Sequence, residues 1–329
     1  MRLKLLIVPL VLVLWSAATA AQLRQVAILD LPGRPGFDAI ALASGRVVIA
    51  HAGAGTVDIF DPARRRLVAQ IGNLDHPRGL AVDEPGRRLF IADAGNRTIS
   101  TVSTNTWKVE NQFPLSSSPD ALLFAPAANM LYATNWHDGS VSAVDPVTGQ
   151  ARTVAVGGRP ADLLFDPASH RLYITVQGRN YVLITDSALN ARGKFPLAGS
   201  LPTGVALDAA NRKLFIAVRY AVVVLDLDSG SELARVPMPA GTDMLWYDDS
   251  SQSLYTAANG GIVSVIRRDG ARYFVEQELV TEVRGHTLAF DAERQFIYVP
   301  GGRDGRSKLV ILRRFDNPAH SRPPQTALR

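Results

Sequence analysis

Short apolar runs recur along the chain, and Gly, Pro, Asn or Asp residues end each of them. One stretch reads Pro77-Arg-Gly-Leu-Ala-Val-Asp83, then Arg88-Leu-Phe-Ile-Ala-Asp93, then Thr98-Ile-Ser-Thr-Val102. Runs of about four to eight residues rich in Val, Ile, Phe and Tyr and ended by turn residues are typical of β-strands. Helical periodicity is not apparent, so the pattern predicts one strand after another.

The same unit repeats along most of the chain. Its first apolar residue falls, in successive units, at Ile40, Leu80, Leu122, Leu163, Val205, Leu245 and Leu288. A period of about 40 residues with four strands per unit is typical of propeller blades. Helix-pair solenoids have similar periods, but the Pro-x-Gly openings cannot propagate a helix. We therefore predict an all-β, seven-bladed β-propeller with four antiparallel strands per blade.

The two ends of the repeat region complement each other. The last unit, from Gly285 to about Leu312, supplies three strands, whereas the run Gln25–Asp30 is a strand without a unit. Pairing the two removes both exposed edges, so we predict that the N-terminal strand closes the last blade. The single propeller domain is predicted to cover residues 21–315, and the Pro-rich residues 316–329 are predicted to form a disordered tail.

The N-terminus has the order of a secretory signal peptide. Arg2 and Lys4 precede an apolar stretch, and small residues end it at Ala18-Thr19-Ala20. We expect residues 1–20 to be removed and the mature protein to be soluble, without a transmembrane segment, in the periplasm or outside the cell. The chain has no cysteine, which excludes disulfides and thiolate ligands. Loss of Arg2 and Lys4 lowers the formal charge from +5 to +3, so nucleic acid is not an expected partner.

The second strands of the units carry a recognisable motif. Leu131-Tyr-Ala-Thr-Asn135 comes close to the sequence Tyr-Val-Thr-Asn, and Leu172-Tyr-Ile-Thr is a looser copy. Together with the Pro-x-Gly openings, this motif resembles the YVTN-type, YncE-like β-propeller family. The resemblance implies an exported binding or scaffold propeller, similar in shape to lactonase-like propellers but without one shared catalytic motif. Units 6 and 7 depart from the pattern, with Thr242 and Gly285 in place of Pro and with Pro300 expected to break a strand.

Propeller geometry assigns residues to the mouth of the central channel. The residue two places before each aligned apolar position lies at the start of an inner strand, and the loops between second and third strands lie on the same rim. The predicted ligand-binding residues on this rim are Asp38, Arg78, Asp93, Asp120, Asn135, His137, Asp162, Arg219, Asp243 and Asn259. His51 and His286 fall on it as well.

Two functions are compatible with such a rim. In the first, the propeller is a binding module that presents the channel mouth to a small molecule, polymer or protein. In the second, it is a lactonase-like hydrolase or an isomerase that uses a divalent ion, Ca²⁺ or Zn²⁺, with His286 or His51 as general base. The candidate metal ligands are Asp38, His51 and His286.

The opposite rim has a different composition. Its turns are rich in arginine, as in Arg64-Arg65-Arg66 and Arg87-Arg88, which suggests an anionic surface as a partner. The alternative is that arginines fill solvated turns. Aspartates repeated in nearly every unit, such as Asp83 and Asp208, are predicted to form turns and are not site candidates.

Overall fold

The chain is a seven-bladed β-propeller, as the repeat predicts. A computed structural model describes residues 22–315, which form seven four-stranded antiparallel sheets. The predicted signal peptide (residues 1–20) and the predicted tail (residues 316–329) lie outside the described residues. Within the described part of the chain no helix is long and apolar enough to cross a membrane, and the only helical segment there is a 3₁₀ turn at Pro126–Ala128.

The strands follow one another along the chain as the units do. In chain order they are β1 (Gln22–Leu31), β2 (Ile40–Ala43), β3 (Arg46–His51), β4 (Thr56–Asp61), β5 (Arg66–Ile71), β6 (Pro77–Asp83), β7 (Arg88–Asp93), β8 (Thr98–Ser103), β9 (Lys108–Pro114), β10 (Leu122–Ala125), β11 (Met130–Asn135), β12 (Ser140–Val144), β13 (Ala151–Ala155), β14 (Arg159–Asp166), β15 (Arg171–Gln177), β16 (Tyr181–Asp186), β17 (Ala191–Pro196), β18 (Val205–Asp208), β19 (Lys213–Val218), β20 (Ala221–Asp226), β21 (Glu232–Pro237), β22 (Thr242–Asp248), β23 (Ser253–Ala258), β24 (Ile262–Asp269), β25 (Arg272–Val280), β26 (Ala289–Asp291), β27 (Phe296–Arg303) and β28 (Arg306–Phe315).

Blades 1 to 6 are built from consecutive strands, β2–β5, β6–β9, β10–β13, β14–β17, β18–β21 and β22–β25. The first strands of neighbouring blades contact each other, and β2 of blade 1 also contacts β26 of blade 7, which closes the ring. The first strand of each blade is therefore the innermost, and its start faces the central channel.

Blade 7 confirms the predicted closure. Its strand order is β26, β27, β28 and then β1, so the N-terminal strand is its outermost strand. β1 pairs antiparallel with β28 from Gln22 opposite Phe315 to Leu31 opposite Ser307. Both edges that the sequence left open are thus paired with each other.

The core lies between the blades. In six of the seven blades the second strand carries an aromatic residue that is fully buried there, at Phe90, Tyr132, Tyr173, Phe215, Tyr255 and Tyr298, and blade 1 has Val48 at this position. The second strands are covered on both faces by neighbouring blades, which explains why they read as continuous apolar runs instead of alternating ones.

The repeated aspartates hold turns, as predicted. Asp208 is fully buried and accepts hydrogen bonds from the Asn211 backbone N–H and from the Tyr247 hydroxyl of the next blade. Asp145 accepts from the backbone N–H groups of two residues that follow it, Val147 and Thr148. Side-chain acceptors of this kind replace backbone partners in tight turns.

The expectation that Pro300 breaks its strand is wrong. β27 continues through Pro300, which lies opposite Leu309 of β28. On the other side, β26 pairs with β27 only as far as Tyr298. Pro300 therefore lies beyond the end of that ladder, where its missing N–H costs no sheet hydrogen bond.

Candidate ligand-binding site at the channel mouth

A cavity of about 540 Å³ opens at one end of the central channel. All seven residues that the repeat alignment places at the starts of the inner strands line it, one from each blade: Asp38, Arg78, Asp120, Ala161, Thr203, Asp243 and His286. Stretches of chain that are far apart in sequence thus converge on one concave surface.

The Pro-x-Gly motif explains how this ring is packed. A Cβ atom at Gly79 would lie 2.3 Å from the carbonyl oxygen of Asp120, and one at Gly204 would lie 2.0 Å from that of Asp243. The backbone of the next blade passes too close for any side chain at these positions. The glycine of one blade therefore sets the position of the channel-mouth residue in the following blade.

Arg78 holds two carboxylates on one side of the cavity. Its Nη1 atom lies 3.0 Å from Oδ2 of Asp38 and 3.1 Å from Oδ1 of Asp120. Burial raises the pKa of Asp38, and burial together with the nearby Asp38 carboxylate raises that of Asp120 to about 6, against the opposing effect of Arg78. One guanidinium is thus shared between two acids and balances only one of them.

Asp162 lies further around the ring and has no cationic partner among residues 22–315. Its carboxylate accepts hydrogen bonds from two backbone N–H groups, those of Leu163 (2.8 Å) and Val205 (3.0 Å). Burial raises its pKa to about 7, although these two hydrogen bonds act in the opposite direction. Two backbone donors do not neutralise the charge of an ionised carboxylate.

His286 and Asp243 form the remaining charged pair of the cavity. Nδ1 of His286 is 3.0 Å from Oδ2 of Asp243, and Nε2 is 3.2 Å from the carbonyl oxygen of Phe37. A carbonyl and a carboxylate only accept hydrogen bonds, so both ring nitrogens must carry a proton. The hydrogen bond to Asp243 raises the pKa of His286, which favours this imidazolium form.

One wall of the cavity carries an aromatic side chain. Trp136 donates a hydrogen bond from Nε1 to the Gln177 side chain, and the guanidinium of Arg159 lies 4.5 Å from its ring centroid. His137 and Asn259 also line the cavity, as predicted from the loops. The sequence pattern did not single out Thr242, Met244 and Thr287, which line the cavity beside aligned positions in the two atypical blades.

His51 is not part of the cavity. It is fully buried, with Nδ1 2.8 Å from Oδ2 of Asp58 and Nε2 2.8 Å from the carbonyl oxygen of Arg34. Oδ1 of Asp58 accepts hydrogen bonds from Thr56 and Gln70. His51 and Asp58 thus form a fully buried hydrogen-bonded pair, and Nε2 of His51 donates to the Arg34 carbonyl.

The contact between His51 and Ser307 resembles a catalytic triad but cannot act as one. Nε2 of His51 is 3.1 Å from the Ser307 hydroxyl, yet that hydroxyl donates its hydrogen bond to the carbonyl oxygen of Gly33. Nε2 is a donor and has no lone pair to accept a proton from serine. The cluster joins blade 1 to β28 of blade 7 and is structural.

Three other predicted rim residues lie outside the cavity. Asp93 is buried and accepts from the backbone N–H of Asp75 and from Asn96. Asn135 is buried and donates to Ser140 and Ser142. Arg219 is exposed and does not line the cavity.

The candidate metal ligands are not arranged around one point. Asp38 and His286 line the cavity, but His51 is occupied elsewhere. Across residues 22–315, no group of three His, Cys, Asp or Glu side chains is placed to hold one metal ion. The residues present do not fit a three-ligand Ca²⁺ or Zn²⁺ site.

The cations of the opposite rim are largely paired. Arg88 lies 2.8 Å from Asp83, and Arg294 lies 2.9 Å from Asp291. Arg64, Arg192 and Lys213 contact turn aspartates in the same way. This pairing favours the interpretation that these arginines stabilise turns, and binding to an anionic surface stays a prediction.

Comparison with known proteins agrees with this architecture. The chain is 25% identical over 265 residues to YncE proteins from Salmonella typhi and Salmonella typhimurium, which is 74% of this chain and 74% of each relative. No protein-family profile matches the chain. The hydrazine synthase of Kuenenia stuttgartiensis superimposes with a TM-score of 0.75 over 88% of this chain and 97% of that chain, at 12% identity, which shows likeness of fold alone. The chain is a seven-bladed β-propeller with sequence similarity to YncE proteins.

Proposed function

We propose that this chain is an exported, YncE-like binding protein whose channel mouth binds a small molecule through a cationic group of that molecule. The signal-like pattern of residues 1–20 supports export, and the similarity to YncE proteins supports the kinship. The cavity supports the binding role because it is concave, has polar and apolar walls and collects residues from every blade.

The observation that carries the proposal is the charge balance of the cavity. Four carboxylates line it, from Asp38, Asp120, Asp162 and Asp243, against the single cations of Arg78 and His286. An ammonium group placed among these carboxylates would supply the missing charge.

Binding should be tested with a matched pair of simple probes, n-butylammonium and butyrate. By calorimetry at low ionic strength, butylammonium is expected to bind and butyrate is not, because only the former complements the carboxylates. Asp162→Asn is expected to weaken butylammonium binding about tenfold, the usual cost of losing one charge-assisted contact. Asp269→Asn, which removes an exposed carboxylate from the opposite rim, is the control and should change nothing.

The dependence on pH gives an independent readout. Asp120 and Asp162, with pKa values of about 6 and about 7, are partly protonated between pH 5 and pH 7 in the free protein. A bound cation favours the ionised carboxylates, so binding releases protons and tightens as the pH rises from 5 to 8. Equal binding of butyrate, or affinity unchanged across this range, would contradict the proposal.

A further inference from the structure

A second cavity, of about 730 Å³, lies beside the channel mouth. It is formed where blades 7 and 1 meet, by the segment Pro35–Phe37, the segment 282–286 and the turn between β27 and β28. His286 lines both cavities and is therefore the residue at which they adjoin.

The charges of the second cavity leave one cation available. Arg303 is paired with Glu282, which also accepts a hydrogen bond from Gln25. Arg303 also lies 3.7 Å from the Asp304 carboxylate, whose side chain is 91% exposed, so solvent largely screens this second pair. Arg284 is exposed, and within residues 22–315 no hydrogen bond or ion pair engages its guanidinium.

Arg284 is nevertheless fixed in position at its backbone. Its N–H donates to the carbonyl oxygen of Gly302 at 2.9 Å, and its own carbonyl accepts from Gly302 N–H at 3.1 Å. The strand segments are in close contact here, since a Cβ at Gly285 would lie 2.3 Å from the carbonyl oxygen of Pro300. A free guanidinium on a fixed backbone is suited to bind an anion.

The two cavities therefore differ in charge balance: the second is lined by two acids and two arginines, without the excess of carboxylates found at the channel mouth. The channel mouth has more carboxylates than cations, whereas the second cavity offers an unpaired arginine. The imidazolium of His286 lies at the boundary, where it repels an ammonium group and attracts an anionic one. A molecule that occupies both cavities would meet negative charge at one end and positive charge at the other.

We propose that the ligand is a zwitterion, with its ammonium group among the channel-mouth carboxylates and its carboxylate or phosphate group in the second cavity against Arg284. This inference rests on the proposed function, because it assigns the other end of the same ligand. It does not require that any bond be made or broken.

The test compares ω-amino acids with monoamines of matched length. Glycine, β-alanine, 4-aminobutyrate and 6-aminohexanoate are titrated into the full chain beside the corresponding alkylamines, and phosphoethanolamine serves as the phosphate arm. If the ligand occupied only the channel-mouth cavity, adding a carboxylate to an amine would weaken its binding, because the carboxylates of that cavity would repel it. If the ligand occupies both cavities, the amino acid whose length spans them binds about tenfold tighter than its matched amine.

Arg284→Gln is expected to abolish this gain while leaving alkylamine binding intact. Arg97→Gln is the matched control, since Arg97 is an exposed arginine in the loop after β7 and lines neither cavity. If alkylamines bind and every zwitterion binds more weakly than its matched amine, the inference is overturned and the proposed function stands. If neither class binds, both are overturned. A larger gain with phosphoethanolamine than with the amino acids assigns the anion as a phosphate.

Discussion

His51 and His286 were both predicted to lie on the channel-mouth rim, but their surroundings give them different roles. His286 lies in the wall of a cavity, about a quarter exposed at its side chain, whereas His51 is sealed from solvent. His51 also stacks on the ring of Phe37, at 4.2 Å between centroids, and the carbonyl oxygen of Phe37 accepts a hydrogen bond from Nε2 of His286. Phe37 thus connects the buried His51–Asp58 pair of blade 1 to the channel mouth.

Replacing His51 is expected to destabilise the protein strongly. His51→Ala leaves the buried Asp58 carboxyl group without one of its hydrogen-bond partners, which costs about 1–3 kcal/mol in free energy of unfolding. Urea unfolding followed by circular dichroism measures this cost. His137→Ala, at an exposed position, is the control and should stay within about 0.5 kcal/mol. A loss below about 1 kcal/mol for His51→Ala would show that the hydrogen bond between His51 and Asp58 does not stabilise the fold.

For three of the predicted rim residues, the assignment from sequence failed at the exact end of a strand. The inner-strand positions could be predicted because the repeat aligns them directly. His51, Asp93 and Asn135 were predicted to lie in rim loops, but they are the last residues of β3, β7 and β11. Successive strand residues face opposite sides, so an error of one position exchanges a cavity side chain for a buried one. Trp136 and His137, just beyond β11, do line the cavity.

At the level of elements, the inner strands govern the shape of the site. Gly79 and Gly204 let the inner strands of blades 2 and 5 approach the next blade, at the backbone of Asp120 and Asp243 respectively. The Pro-x-Gly motif could be recognised from the sequence as a strand opening. The effect of the motif on the position of the next blade could not be predicted, because the contact between the glycine and the neighbouring backbone depends on the spacing between blades.

Gly204→Ala is expected to displace Asp243 and to destabilise the fold. The added methyl group would lie 2.0 Å from the Asp243 carbonyl oxygen, and overpacking of this kind costs about 1–3 kcal/mol. Thermal unfolding and butylammonium titration should both detect the change.

Gly193→Ala provides the control for that substitution. Gly193 lies in the outer strand β17, where a Cβ would make only an ordinary contact, 3.9 Å from Cδ1 of Ile184. It should be neutral or slightly stabilising. Equal behaviour of the two variants would refute the role assigned to Gly204.

For the whole molecule, the repeat made the blade count and the closure predictable. Seven similar units leave few arrangements open, and an unpaired strand at each end favours their pairing. The second cavity could not be foreseen, because it is built from segments outside the repeat: the linker before β2, the linker before β26 and the last turn. No sequence signal distinguishes Arg284 from the many arginines of ordinary turns.

The closure of the ring by β1 predicts the behaviour of a deletion variant and of a circular permutant. Deleting residues 22–31 should prevent stable folding, because it removes the buried Leu23 and Leu31 and exposes the edge of β28. Each lost leucine costs about 2–5 kcal/mol, which is large against a typical total of about 5–15 kcal/mol.

A circular permutant should rescue that deletion. Gln22 lies opposite Phe315, so β1 can follow β28 through a short turn, with the new N-terminus at Pro32. We expect the permutant to melt within a few degrees of the parent chain in a thermal scan and to elute as a monodisperse species. A deletion variant that melts like the parent chain would argue against the closure.

The shared seventh blade also makes completion of the fold depend on completion of synthesis. Lys308 of β28 donates a hydrogen bond to Asp30 of β1, and the two residues are 278 positions apart. During synthesis β1 therefore has no pairing strand until β28 has been made. A polypeptide cut short before β28 keeps an orphan strand and an incomplete seventh sheet, both of which proteases can attack. The seventh blade can therefore be completed only in a polypeptide that extends through β28.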